Sequence, residues 1–128
     1  MQDINTIKQV NKSGLNSRLM TPQTHTITIG RNIGDKPLSN HRWKGFKSCI
    51  ESFIELHEGE IFVNSSGHGT WINEEGQEIK EENQTFVFSS CLFLDLVHLK
   101  RLAKLFRQDA IALTTGVTQL IEGNLKND

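Results

Sequence analysis

The fold of this chain turns on the stretch IFVNSSGHGTWIN (residues 61–73). Strand-forming apolar residues stand at both ends, with Asn-Ser-Ser-Gly-His-Gly-Thr (residues 64–70) between them. Clustered Asn, Ser and Gly mark turns, because they tolerate positive φ or hydrogen-bond their own backbone. The stretch therefore predicts two short strands, 61–63 and 71–73, joined by a turn that presents hydroxyls and the His68 imidazole.

Working outward, Ile50, Ser52, Ile54 and Leu56 alternate with Glu51, Phe53 and Glu55, the two-residue period of a strand. Glu58-Gly59 reads as a hairpin turn, and Glu75-Gly76 as the next. Ile79 and residues 85–88 and 92–97 complete the predicted strands on the C-terminal side. On the N-terminal side, residues 4–10 alternate loosely, residues 18–20 form a short strand, and THTITIGR (residues 24–31) alternates cleanly. Residues 32–47 show no period and contain Gly, Pro, Ser and Asn, which predicts a long loop rich in Lys and Arg. Short strands separated by turns suggest a β-sandwich. After Val97 the period changes: Leu99, Leu102, Phe106 and Ala110 share a stripe, predicting an amphipathic helix over residues 98–113. A further turn, a short helix and a frayed end are expected beyond it.

Composition sets outer limits. A chain of 128 residues holds one core, and a net charge of −1 argues against bulk attraction to a polyanion. The two cysteines, Cys49 and Cys91, have no metal-binding spacing and are expected as free thiols. No signal peptide or apolar span is visible, so an intracellular protein is expected. No P-loop, dinucleotide fingerprint, His-Glu-x-x-His or Cys-x-x-Cys occurs, and no metal or cofactor is expected.

ITIGR (residues 27–31), followed by NSSGHGTWIN (residues 64–73), resembles the forkhead-associated (FHA) domain. The family pattern runs Ile-Gly-Arg, then Ser-Arg-x-His, then Asp-x-Ser-x-Asn-Gly-Thr-Phe-Val-Asn. Gly30 and Arg31 match the first block. Asn64, Ser66, Gly69, Thr70, Trp71, Ile72 and Asn73 match or nearly match the third. The middle block falls on Ser48, Cys49, Ile50 and Glu51, with Cys49 in place of arginine and Glu51 in place of histidine. His68 stands where the family has asparagine. The resemblance implies an all-β, two-sheet β-sandwich over residues 1–97; the C-terminal amphipathic α-helix and tail over residues 98–128, read from the helical stripe, lie outside the usual family core. That helix packs on the sandwich or leads to a linker.

The implied function is a non-enzymatic module that binds a phosphothreonine-containing protein or peptide for signalling or assembly. Its implied phosphopeptide contacts are Arg31, Ser48, Cys49, Gly67 and His68; apart from the resemblance, the basic segment offers Arg42, Lys44 and Lys47 as auxiliary phosphate contacts to replace the charge lost at Cys49. Gly30, Gly69, Thr70 and Asn73 are implied to be structural. A dianionic phosphothreonine suits an arginine fork and a serine hydroxyl. Two alternatives stand beside this one: an FHA-like scaffold that binds protein without phosphate, and an enzyme using Ser66 and His68. No specific nucleic-acid partner is expected, and Trp71 is read as core.

Overall fold

The computed structural model describes residues 18–117. The expected strand at residues 4–10 and the tail beyond residue 117 lie outside them. In chain order the elements are β1 (Arg18–Gly30), β2 (Asn32–Ile33), β3 (Lys36–Pro37), α1 (Asn40–Leu56), β4 (Glu60–Ile72), β5 (Glu78–Leu92), α2 (Leu96–Leu105) and β6 (Ala112–Val117). The protein is mainly β, but its long strands form one antiparallel sheet, ordered β4-β5-β1-β6, and not a sandwich of two. β2 and β3 make a small separate ribbon, turned at Gly34 with φ of 63°.

Within that sheet β1 and β4 run parallel with β5 between them, and β5 and β6 run parallel with β1 between them. Each parallel pair is joined through a helix, giving a β-α-β-β-α-β chain of two split crossovers. One face of the sheet supplies Ile27 and Ile29 from β1 and Phe86 and Phe88 from β5. Trp43, Phe46, Ile50, Phe53 and Ile54 of α1 pack there with Leu99 and Leu102 of α2. The other face carries Thr24, Thr26 and Thr28 of β1 opposite Ser89, Val87 and Thr85 of β5, all only partly buried.

The expected loop at 32–47 and strand at 50–56 are corrected to α1. Seen from residue 50 onward, the apolar positions alternate. Seen from Trp43, they follow the i, i+3, i+4, i+7 spacing of a helix. Ser39 caps the start, its Oγ accepting from the Arg42 N–H at 3.2 Å.

Both helices end in the same way. After α1, Gly59 N–H donates to Ile54 O at 2.8 Å and Glu58 N–H to Glu55 O at 3.0 Å, with Glu58 at φ 55°. After α2, Gln108 N–H donates to Ala103 O at 2.8 Å and Arg107 N–H to Lys104 O at 3.1 Å, with Arg107 at φ 57°. These are Schellman ends with a non-glycine residue in the left-handed position. Glu58-Gly59 is therefore a helix end, not a hairpin. α2 also stops well short of residue 113, and residues 112–117 return to the sheet as β6.

The opening stretch is also corrected. Its turn-rich tract is the middle of one continuous strand, β4. Gly67 sits in close contact with β5: a Cβ there would lie 2.8 Å from Asn83 Oδ1. The reversal comes later. The Asn73 carboxamide accepts from the N–H groups of Glu75 and Gln77, and Gly76 has φ of 80°.

Candidate active site

β1 ends at Gly30, beside the outer part of the β4–β5 hairpin. There a cavity of about 360 Å³ opens, lined by Gly30, Asn32, Gly34, Trp71, Glu81, Gln108, Asp109 and Ala110. Its size falls within the range of small-molecule sites. Four parts of the chain meet around it: the end of β1, the β2–β3 ribbon, the hairpin, and the α2–β6 loop. The Schellman end at Arg107 aims that loop, so the helix stop places Gln108 and Asp109 at the cavity.

Glu81 is the central group. Its Oε2 accepts the Asn32 backbone N–H at 2.8 Å. Its Oε1 has no hydrogen-bond partner among the described residues. The carboxylate lies directly over Gly30, and a Cβ at that position would collide with it. Glycine here makes room for a neighbouring carboxylate; its backbone conformation is ordinary. The Asn32 side chain is fixed by donating to Lys80 O at 3.3 Å.

Trp71 is 39% exposed, so it lines the cavity and is not a core residue as expected. Among the described residues the lining carries two carboxylates, Glu81 and Asp109, and no Lys or Arg. An indole face and carboxylates suit a flat or cationic ligand bearing hydroxyl or amine donors. The same lining repels anions. A larger groove of about 640 Å³ runs between α1 and β4, lined by Ser48, Glu51, Glu55 and Glu60 among others, with no aromatic side chain among the described residues.

On the helical side of the same strand end lies Arg31. Its Nη1 donates to Glu82 Oε1 at 2.9 Å, its Nη2 to Asn40 Oδ1 at 2.7 Å, and its Nε to Leu38 O at 2.8 Å. The Trp43 indole N–H also donates to Glu82 Oε2 at 3.3 Å. The hydrogen bond from Arg31, first among the causes, holds the Glu82 carboxyl below its ordinary pKa. All three kinds of guanidinium nitrogen are engaged inside the protein, so Arg31 is not an open phosphate fork.

The other expected contacts are dispersed. Ser48 and Cys49 lie on α1, whereas Gly67 and His68 lie mid-strand on β4. Among the described residues no hydrogen bond or ion pair joins any of these to Arg31. Arg42 donates to Leu105 O at 2.7 Å and lies over Phe106, and Lys47 lies over the Trp43 ring. Lys44 is exposed on α1. Gly69 and Thr70 continue β4, and Asn73 holds the hairpin turn.

Sequence reasoning overlooked Glu81, Asn32, Gln108 and Asp109. The signal was the pair Glu81-Glu82 inside a strand. Neighbouring strand residues face opposite sides of a sheet, so the two carboxylates cannot share one environment.

No protein-family model matches the chain, and no curated protein matches it. Among solved structures it is similar to a phage SAM lyase in complex with S-methyl-5′-thioadenosine. That likeness has 18% identity over 78% of this chain and 84% of the other, with a TM-score of 0.52. The same description in the apo state matches with 18% identity over 76% and 83%, with a TM-score of 0.48. The first likeness supports a shared fold. It overturns the FHA resemblance and what was carried with it: the phosphothreonine partner, the signalling role and the non-enzymatic character. Physically, the motif blocks that suggested that family lie on a different scaffold. Its presumed recognition turn is a strand interior, and its presumed middle block, Ser48 to Glu51, lies inside a helix.

Proposed function

We propose that this protein binds S-adenosylmethionine (SAM) in the cavity at the end of β1 and cleaves it, releasing S-methyl-5′-thioadenosine. The observation that carries the reading is the Glu81 carboxylate. One of its oxygens has no hydrogen-bond partner among the described residues, it lies over a glycine, and it faces the same cavity as Trp71. A fold in common with a phage SAM lyase supports it.

The ligand chemistry fits this lining. A ribose offers a pair of adjacent hydroxyl donors, and a carboxylate accepts such donors in short, charge-assisted bonds. The indole of Trp71 offers a stacking surface for the purine or a cation–π contact for the sulfonium, worth about 0.5–2 kcal/mol. Among the described residues the cationic ligand meets no cationic side chain in the lining.

Cleavage breaks a carbon–sulfur bond, and the electron pair stays on sulfur. The positive charge is therefore lost as the reaction proceeds. A carboxylate held against the sulfonium stabilises the starting state more than the transition state and slows the step. Glu81 is accordingly assigned to the ribose hydroxyls, where its contact is the same throughout the reaction. Either the substrate's own carboxylate oxygen bonds to the carbon as it leaves sulfur, closing a lactone, or the neighbouring carbon loses a proton to water and a carbon–carbon double bond forms as the carbon–sulfur bond breaks. Analysis of the four-carbon product distinguishes these routes.

The test is incubation of purified protein with SAM and chromatography of the products. Enzyme-dependent S-methyl-5′-thioadenosine, formed in Glu81→Gln with a KM for SAM raised about tenfold or more and kcat little changed, is the expected result. Neither turnover nor calorimetric binding of SAM or S-methyl-5′-thioadenosine would overturn the reading.

A further inference from the structure

The two adjacent carboxylates of β5 belong to opposite faces of the sheet, and residues 31 and 32 are fastened to both. Asn32 N–H holds the Glu81 side chain on the cavity side at 2.8 Å. Arg31 holds the Glu82 side chain on the helical side at 2.9 Å, and its own backbone N–H donates to Glu82 O at 3.0 Å. Arg31 O also accepts from Leu38 N–H at 2.9 Å, while its guanidinium reaches Leu38 O and Asn40 at the start of α1.

We infer that Arg31 is a positioning residue for the Glu81 carboxylate. It fixes the peptide whose N–H orients that carboxylate, and so couples the start of α1 to the cavity. The assignment of Glu81 as a ligand contact rests on the proposed function; the coupling itself does not.

Two features make this more than general stabilisation. Donation to Leu38 O and Asn40 needs nitrogens spread across a planar fork, which lysine lacks. The orienting donor is a single backbone N–H one residue away, and a small rotation of that peptide redirects it. Side chains that share a hydrogen-bonded network of this kind couple energetically, whereas distant ones add independently.

The test uses the full chain carrying Arg31→Lys, with Asn40→Ala as a milder second variant that leaves the charge in place. In ligand-free protein, the Asn32 amide proton shift is followed by NMR as Glu81 titrates, with Glu81→Gln defining the part of the swing that belongs to that carboxylate. Arg31→Lys is expected to reduce that part by about half or more, and Asn40→Ala to reduce it less, since the shift reports the hydrogen bond to the charged form. With SAM as substrate, Arg31→Lys is expected to raise KM about fivefold or more and to change kcat about twofold or less. Combined with Glu81→Gln, its effect on KM is expected to be less than additive. A lowered melting temperature with an unchanged Asn32 swing would overturn the inference and leave Arg31 a fold residue only. If wild-type protein does not turn over or bind SAM, the proposed function fails, while the ligand-free swing still decides the role of Arg31.

Discussion

Gly30 and Glu81 show how one missing side chain makes a site. A Cβ at Gly30 would meet the far end of the flexible, half-buried Glu81 side chain, which can swing away. Gly30→Ala is therefore expected to lower the melting temperature little, yet to weaken S-methyl-5′-thioadenosine binding about tenfold, the cost of a misplaced charge-assisted hydrogen bond. Calorimetry and thermal unfolding on the same sample check both parts. His25 sets a different residue-scale expectation. It is 3% exposed, its Nδ1 lies 2.9 Å from Thr115 Oγ1, and its Nε2 has no partner among the described residues. Burial, and secondarily the charge of His57, lowers its pKa from 6.5. The unfolded chain then takes up a proton before the folded one does. Stability is full above about pH 6.5 and falls as pH drops below it, until the folded imidazole also protonates. His25→Gln, which removes the titration, is expected to flatten that slope in chemical denaturation measured across pH 5–7.

The elements differ in how much of them the sequence discloses. The clean alternation of residues 24–30 is strand in the structure, and Glu75-Gly76 lies in the β4–β5 hairpin turn. Leu99, Leu102 and Phe106 pack into the core as their spacing implied. The helix ends are hidden, because both place Glu58 or Arg107 where glycine is the usual signal. α1 is hidden because half of it, taken alone, has the period of a strand. β4 is hidden because Gly67 is selected by close approach to Asn83, a tertiary requirement that local propensity reads as a turn. The helix ends also make a prediction. Arg107 has no side-chain hydrogen bond or ion pair among the described residues, whereas Glu58 pairs with Arg18 at 3.0 Å. Arg107→Gly therefore relieves the left-handed strain without losing a contact. It is expected to stabilise the protein by about 1 kcal/mol, raising Tm by about 3–5 °C. An unchanged or lowered Tm would show that the position carries no such strain.

At the scale of the whole molecule, the sheet separates structural and functional work. Its helical face holds the apolar core, and the end of its central strand holds the cavity. The candidate site was less legible in the sequence than the strands. Its residues come from four separate stretches, and none carries a motif. Glu81 gains its role only because the sheet turns it away from Glu82 and the helix end brings Asp109 across from it. Charge follows the same division: the cavity lining is acidic, whereas Lys100, Arg101 and Lys104 are exposed on α2. The most direct test of the account is a ¹⁵N–¹H NMR titration of the protein with S-methyl-5′-thioadenosine. Saturable shifts at Gly30, Asn32, Gln108, Asp109 and the Trp71 indole are predicted, and in Glu81→Gln they should need about tenfold or more ligand to saturate. No shifts, or shifts confined to the groove between α1 and β4, would contradict it.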